Sequence, residues 1–431
     1  MKRGKVTRAL ALGASILLLG AFLRLFAVAG QPALSDEARA VHSAAHYMES
    51  GQFGPTMWYH PNLRNIVLYW VGQAAGYGPY ALRGMSLATG ILSIPLAGIL
   101  LYLLTRNRSA SLLAAFLLAV EQVHITFSRQ AIQETWTTFF FLLGTVLAVL
   151  SAQREKPGLL VLSGLVFGLG VSSKFHAVVP LLICLGAGLS LSWKERSPAK
   201  AAFVIACLAI LPATVYVLTY IPWFGRGYGV LDWVRMQSVL LVKMATHAGN
   251  PMDQVIDTRA WQWFLRPMGY ANFVFFEGKP FVTIAFSNPF VWSLVVPSTA
   301  FLIWSWLPRM NARGGLHRGS SPSDTRNGAL FVVLLFLATY LPLALSPRPI
   351  WLLSSLATLP FALMIVALAA VQAANAVTWG RRALAGYTVV VLVSSLALYP
   401  MALGEAKSHA YLEGITERFR PPFERGGTIN P

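Results

Sequence analysis

Acidic side chains are few in this sequence, 16 Asp and Glu among 431 residues, and some of them stand where chemistry could be done. Asp36 and Glu37 follow Pro32 and Ser35 just beyond an apolar run over residues 9–28. Glu134 ends the stretch Phe127-Ser128-Arg129-Gln130-Ala131-Ile132-Gln133-Glu134, which separates two further apolar runs. A carboxylate beside lipid is costly and needs a partner or a task. The bland reading is a solvated helix start, with Ser35 or Asp36 as cap and acids favoured by the helix dipole. A second feature argues for more: Arg83, Arg129, Lys174, Arg266 and Arg348, with His60 and His247, fall near the same ends of the apolar runs. Each cation alone reads as a snorkelling side chain or headgroup contact. Carboxylates beside several cations, however, can hold an anion and a base together. Asp36, Glu37, Glu134, His60 and His247 could also supply ligands to a divalent metal, but no spacing resembles a dedicated site and arginines can neutralise phosphate instead. No cofactor is therefore expected to be required.

The elements that must position these groups are membrane spans. The chain is 56% hydrophobic and only 12% charged, with a mean hydropathy of +0.58, whereas a soluble domain carries about 25% charged residues. Runs able to cross a hydrocarbon core, roughly 20 apolar residues each, are read at 9–28, 80–104, 110–126, 134–152, 158–172, 176–192, 201–221, 282–307, 328–345, 350–373 and 383–402. An all-α polytopic membrane bundle of about 11 helices is expected. Residues 1–402 form one catalytic membrane unit on this reading, and 403–431 a short outer tail. The first thirty residues resemble a signal peptide, with Lys2, Arg3, Lys5 and Arg8 before the apolar run. The run is long for that role, and Arg24 suits an anchored helix whose cation reaches toward the interface. Cys184 and Cys207 lie inside apolar runs and carry no redox or metal signal.

Cytoplasmic loops retain Lys and Arg, so their distribution orients the chain. With the N-terminus inside, the inner segments collect 17 of the 34 cations, from Lys2 and Arg3 to Arg381 and Arg382, against only Glu155, Glu195 and Asp324. The net charge of +18 is thus mainly a topology signal, and no nucleic-acid partner is implied. The same orientation puts residues 29–79 and 222–281 outside as long loops, the first helical by its spacing of Ala38, Val41, Ala45 and Met48. The second is rich in Trp and Tyr, as expected of a segment along the interface. Such long loops are uncommon without a task, and outer-face juxtamembrane helices are expected in them.

Several motifs together resemble a known family. Asp36-Glu37 after the first span, His60-Pro61-Asn62-Leu63, Arg83, the Arg129–Glu134 stretch, Gly168-Leu169-Gly170 leading to Lys174, Trp261-x-Trp263 before Pro267, and Ser287-Asn288-Pro289 resemble the protein O-mannosyltransferases. These belong to the wider C-type membrane glycosyltransferases, which include the lipid A aminoarabinose transferases. The resemblance implies a multi-span enzyme that takes a sugar from a polyprenyl phosphate to an acceptor hydroxyl at the extracytoplasmic face of a bacterial inner or plasma membrane. It makes Asp36 the general base, gives Glu37 and Glu134 positioning roles, puts Arg83 and Arg129 near the donor phosphate or the carboxylates, and puts Lys174, His60 and Arg348 near donor phosphate or substrate. The partners implied are the lipid-linked sugar, surrounding lipids, and either Ser or Thr of a protein or a lipid or glycan hydroxyl. The chain departs from the family at Asn62, Ser287 and Glu134, and runs Trp351-Leu352-Leu353-Ser354-Ser355 where a His-Tyr pair is usual. The rival reading is a lipid or solute transporter, which would place ionisable groups near the bilayer midplane and repeat its halves.

Overall fold

The structure is a computed structural model that describes residues 2–31, 35–52, 60–246, 259–276, 279–310, 322–346 and 350–406. At some element ends, including Asp36, only the backbone is described. The helices in the first half are α1 (Lys2–Leu25), α2 (Ser35–Ser50), α3 (Leu63–Ala75), α4 (Pro79–Thr105), α5 (Arg108–Val120), α6 (Gln122–Ser128), α7 (Gln133–Arg154), α8 (Pro157–Ser173), α9 (Val178–Lys194), α10 (Pro198–Ile205), α11 (Leu211–Leu218), α12 (Ile221–Gly225) and α13 (Val230–Thr246). Strands β1 (Gly269–Phe276) and β2 (Lys279–Phe286) follow. Then come α14 (Pro289–Trp292), α15 (Val295–Met310), α16 (Pro322–Ala344), α17 (Leu359–Asn375), α18 (Gly380–Leu398) and β3 (Glu405–Ala406).

This is an integral membrane protein. Among the described residues, seven helices are long and apolar enough to cross a bilayer, α5 and α6 pass that test together despite a 56° bend, and residues 157–173, 289–305 and 359–375 form shorter apolar helices. They coincide with the apolar runs of the sequence, except in detail. Leu10, Leu18, Phe22, Val389 and Val393 are exposed on α1 and α18, as side chains facing lipid should be. At the centre is α17, buried all round from Leu359 to Ala369, the signature of a helix enclosed by other helices. It packs against α5, α15, α16 and α18.

Three runs differ from the spans expected. The run at 282–307 starts as a strand: β2 pairs antiparallel with β1, Val282 opposite Phe273 and Ile284 opposite Ala271, and with β3 at its other edge. Phe281-Val282-Thr283-Ile284 is a β-branched and aromatic run, and helix begins only where Asn288 caps α14 by accepting from the Phe290 amide at 3.1 Å. The run at 350–373 opens as a tight turn over Leu352–Ala357 before α17 starts beside Pro360.

The third difference is the break between α5 and α6. Breaking a helix inside apolar surroundings strands carbonyls on one side and amides on the other. Glu121 caps the new helix, accepting from the Val123 amide (3.4 Å) and from the Trp292 indole (2.9 Å). Arg24 takes the other side. It is fully buried, and its guanidinium donates to the carbonyls of Gly20 (2.9 Å), Ala119 (2.9 Å) and Leu118 (3.0 Å). The expectation that this cation reaches the interface is corrected: the carbonyls left open at the end of α5, those of Leu118 and Ala119, hold it inside the fold.

Helix α8 reaches α10 and α11 through a glycine. A methyl on Gly164 would collide with the Cys207 carbonyl oxygen, in the wide turn Ala206–Ile210 that joins α10 to α11. Neither backbone can give way without moving its helix. Gly164→Ala is expected to destabilise the protein by about 1–3 kcal/mol, as overpacking does, read as a lowered Tm in detergent. A Gly186→Ala control, at a position with open space, should not.

Candidate functional site

The site is built where α1 ends and α2, α4 and α7 begin. Residues 26–31 emerge from α1 and are gripped by two arginines. Arg83, on the first turns of α4, donates through Nη1 to the carbonyls of Val28 (3.0 Å) and Gln31 (3.2 Å). Arg129, just past α6, donates through Nη1 to those of Arg24 (3.0 Å) and Phe26 (2.6 Å). The chain is therefore fixed before it turns into α2, which carries Asp36 and Glu37 in its first turn.

Glu37 is buried, and Arg83 meets it with the parallel fork that guanidinium and carboxylate geometry favours. Nε donates to Oε1 and Nη2 to Oε2, both at 2.8 Å, and the Ala131 amide donates to Oε1 at 2.8 Å. Every nitrogen of Arg83 is thus engaged within the fold. Of the two placements expected for Arg83, beside donor phosphate or beside the carboxylates, its donors lie on a carboxylate and on backbone carbonyls.

Three residues after Ala131, Glu134 stands on the first turn of α7. Lys174, which ends α8, donates to its Oε1 at 2.5 Å, and both side chains are 7% exposed. Lys174 is held there because its own amide closes the helix on the Gly170 carbonyl (3.0 Å). Trp136 and Ser86 brace the loop from below: the indole donates to Ser86 Oγ (2.8 Å), and that hydroxyl donates to the Ile132 carbonyl (3.1 Å). One loop, 129–134, therefore connects both ion pairs, the first through its backbone and the second through Glu134. The walls are apolar: Ala40 and Ala44 of α2, Leu68 of α3, Leu82 of α4, and Trp136 and Phe140 of α7.

The other candidates scatter more widely. His60 is half-buried at the turn into α3, where Asn62 and Asn65 hydrogen-bond at 3.0 Å. Arg266 is exposed and donates to Gln262 Oε1. Trp263 is buried while Trp261 is 48% exposed. Asn288 of the Ser-Asn-Pro motif joins α14 to α18, donating to Ser394 and Ser395 Oγ at 2.9 Å each. Arg348, His247, Pro32 and the tail from residue 407 lie outside the described residues. Among the described residues, no three or more His, Cys, Asp or Glu side chains gather as metal ligands would. Sequence reading missed Ser86, Trp136 and the Ala131 amide, since backbone donors and small hydroxyls leave no signal of their own.

The model of the dolichyl-phosphate-mannose-protein mannosyltransferase family matches residues 15–226, the part of the chain that holds both ion pairs. The fold agrees over nearly the whole length. The protein O-mannosyltransferase Pmt1-Pmt2 complex of S. cerevisiae, solved with its sugar donor bound, superposes with a TM-score of 0.75 at 11% identity, covering 92% of this chain and 90% of that one. This chain has the fold of the C-type membrane glycosyltransferases. The same C-type architecture appears in ArnT from Cupriavidus metallidurans bound to undecaprenyl phosphate (TM-score 0.52, 13% identity, 97% of this chain and 76% of that one). It also appears in the oligosaccharyltransferase AglB from Archaeoglobus fulgidus, in complex with an inhibitory peptide and a dolichol-phosphate (TM-score 0.58, 12% identity, 97% and 58%). No curated protein matches the chain. These likenesses are all to the folds of glycosyltransferases.

Proposed function

We propose that this protein is a C-type glycosyltransferase that moves a sugar from a polyprenyl-phosphate carrier to an acceptor hydroxyl, at the face of a bacterial inner membrane away from the cytoplasm. The observation that carries the reading is the single loop 129–134 shared by two buried carboxylate–cation pairs. A sugar phosphodiester already holds a good leaving group, so the protein must supply a base, a cation for the departing phosphate, and alignment. In the proposed reaction the acceptor oxygen attacks the anomeric carbon as Asp36 takes its proton. The bond from that carbon to the phosphate oxygen breaks, and the phosphate leaves with the electron pair. Direct displacement of this kind inverts the anomeric centre, and the product anomer reports it.

Lys174 is assigned to the departing phosphate, because Lys is a point charge that can swing from Glu134 to an arriving anion. Glu134 then keeps the cation in place while the site is empty. Glu37 and Arg83 are assigned to structure. Arg106, Arg154 and Lys156 lie at the ends of α4 and α7 away from Arg83 and Glu134, and cations gathered there support an orientation with the site on the other face.

The test is transfer by purified protein in lipid nanodiscs, supplied with labelled polyprenyl phosphates of mannose, glucose or aminoarabinose and with peptide or lipid acceptors. Label should pass from one donor, and Lys174→Ala should lower the rate by about 10²-fold, the cost of losing one charge-stabilising donor. Absence of transfer from all three donors, with the protein folded and the acceptors varied, would overturn the reading.

A further inference from the structure

Arg24 and Arg129 form a reciprocal clamp. Arg24, from α1, covers the stranded carbonyls at the end of α5, and Arg129, from the end of α6, covers the carbonyls at the end of α1. Arg129 thus closes the helix that bears Arg24, and Arg24 closes the helix that leads into the one ending at Arg129. His124 ties the two halves together: Arg24 Nη2 donates to its Nδ1 at 2.8 Å, and Ser128, one turn on, donates to the His124 carbonyl. All four side chains are wholly buried. Tyr399, at the end of α18, also donates to the Leu23 carbonyl at 3.0 Å, pinning the same helix end.

The position of this clamp matters more than its strength. Directly after Arg129 the chain runs Gln130-Ala131-Ile132-Gln133-Glu134, so the residue that ends the clamp begins the loop joining the two ion pairs. Directly after Arg24 the chain runs to residues 26–31 and then α2. The segment leading to Asp36 and the segment leading to Glu134 therefore leave from the same joint. A guanidinium can serve three carbonyls and an imidazole at once because its donors are fixed in a plane. An ammonium has the charge without that reach.

We infer that Arg24 is a positioning residue for glycosyl transfer: through the α5–α6 break it sets the placement of loop 129–134 relative to the first turn of α2. The inference rests on the proposed function for its kinetic readout only. The structural readout is independent of it.

Two measurements test this on full-length protein in nanodiscs. The first is amide hydrogen exchange in Arg24→Gln and Arg24→Lys. Exchange should quicken about tenfold or more in peptides spanning 126–134, while peptides in α17, at 359–375, keep their wild-type protection. Equal acceleration in both regions means a merely structural role and overturns the inference, as does wild-type protection at 126–134. If Arg24→Gln does not fold, Arg24→Lys and His124→Ala carry the same comparison. The second is the rate of transfer per bound donor, using whichever labelled polyprenyl-phosphate sugar the wild type accepts. Arg24→Lys should lower kcat by about 10²-fold, as misplacement far from the chemistry can, with donor KM unchanged. Loss shared by fewer active molecules at unchanged kcat per bound donor would sink it. A wild type that transfers nothing bears on the proposed function, and the exchange result still decides the clamp.

Discussion

Asp36→Asn is expected to lower the rate of sugar transfer by about 10²–10⁴-fold, the usual contribution of a positioned general base, while binding of the lipid-linked donor persists. The choice between the two adjacent acids follows from what Glu37 already does. Its Oε1 accepts from Arg83 and from the Ala131 amide, and its Oε2 from Arg83, so three donors surround it. Both of its oxygens are thus committed to partners within the fold. The proposed mechanism therefore gives the proton to Asp36 and leaves Glu37 to its partners. Single-turnover transfer and donor binding measured on the same preparation decide the point, and transfer by Asp36→Asn at the wild-type rate would remove Asp36 from the mechanism.

Glu37→Gln should act differently, through stability. Removing one partner leaves the guanidinium of Arg83 buried and uncompensated, which costs about 3–5 kcal/mol for such pairs. The expected result is a large fall in Tm, or loss of folded protein, rather than a folded enzyme with a slow chemical step. Replacing both members, as Glu37→Gln with Arg83→Met, should recover part of the loss, because no unpaired charge then remains. Thermal denaturation of the two single variants and the double variant measures the coupling. A Glu37→Gln protein as stable as the wild type would mean that the pair does not hold the linker as described.

The outline of both fold and site was legible in the sequence for a physical reason. Hydropathy reports where backbone must satisfy itself inside lipid, so the spans appear as runs, and carboxylates near those runs are conspicuous because they are expensive. Direction changes within a run are not reported. The stretch 110–126 contains Glu121, Gln122 and His124, and these were the available sign that the helix breaks there. Likewise Ser287-Asn288-Pro289 marked a helix start that the apolar average over 282–307 concealed. Partner choice was also hidden. Arg83 and Glu37 are 46 positions apart, and only the packing of α4 against the end of α1 brings them to 2.8 Å. A cation near a span end reads the same in sequence whether it snorkels, binds phosphate or, like Arg24, caps a severed helix.

The last strand has a bearing on how the protein is made. Glu405 and Ala406 pair with Val282 and Phe281, Gln31 donates to the Ala402 carbonyl at 2.7 Å, and Tyr399 reaches Leu23. The stretch between α1 and α2 is thereby fastened by residues made 371 to 376 positions later. During synthesis that stretch keeps an open flank until residues 399–402 have emerged and folded back against it, so the site cannot close before then.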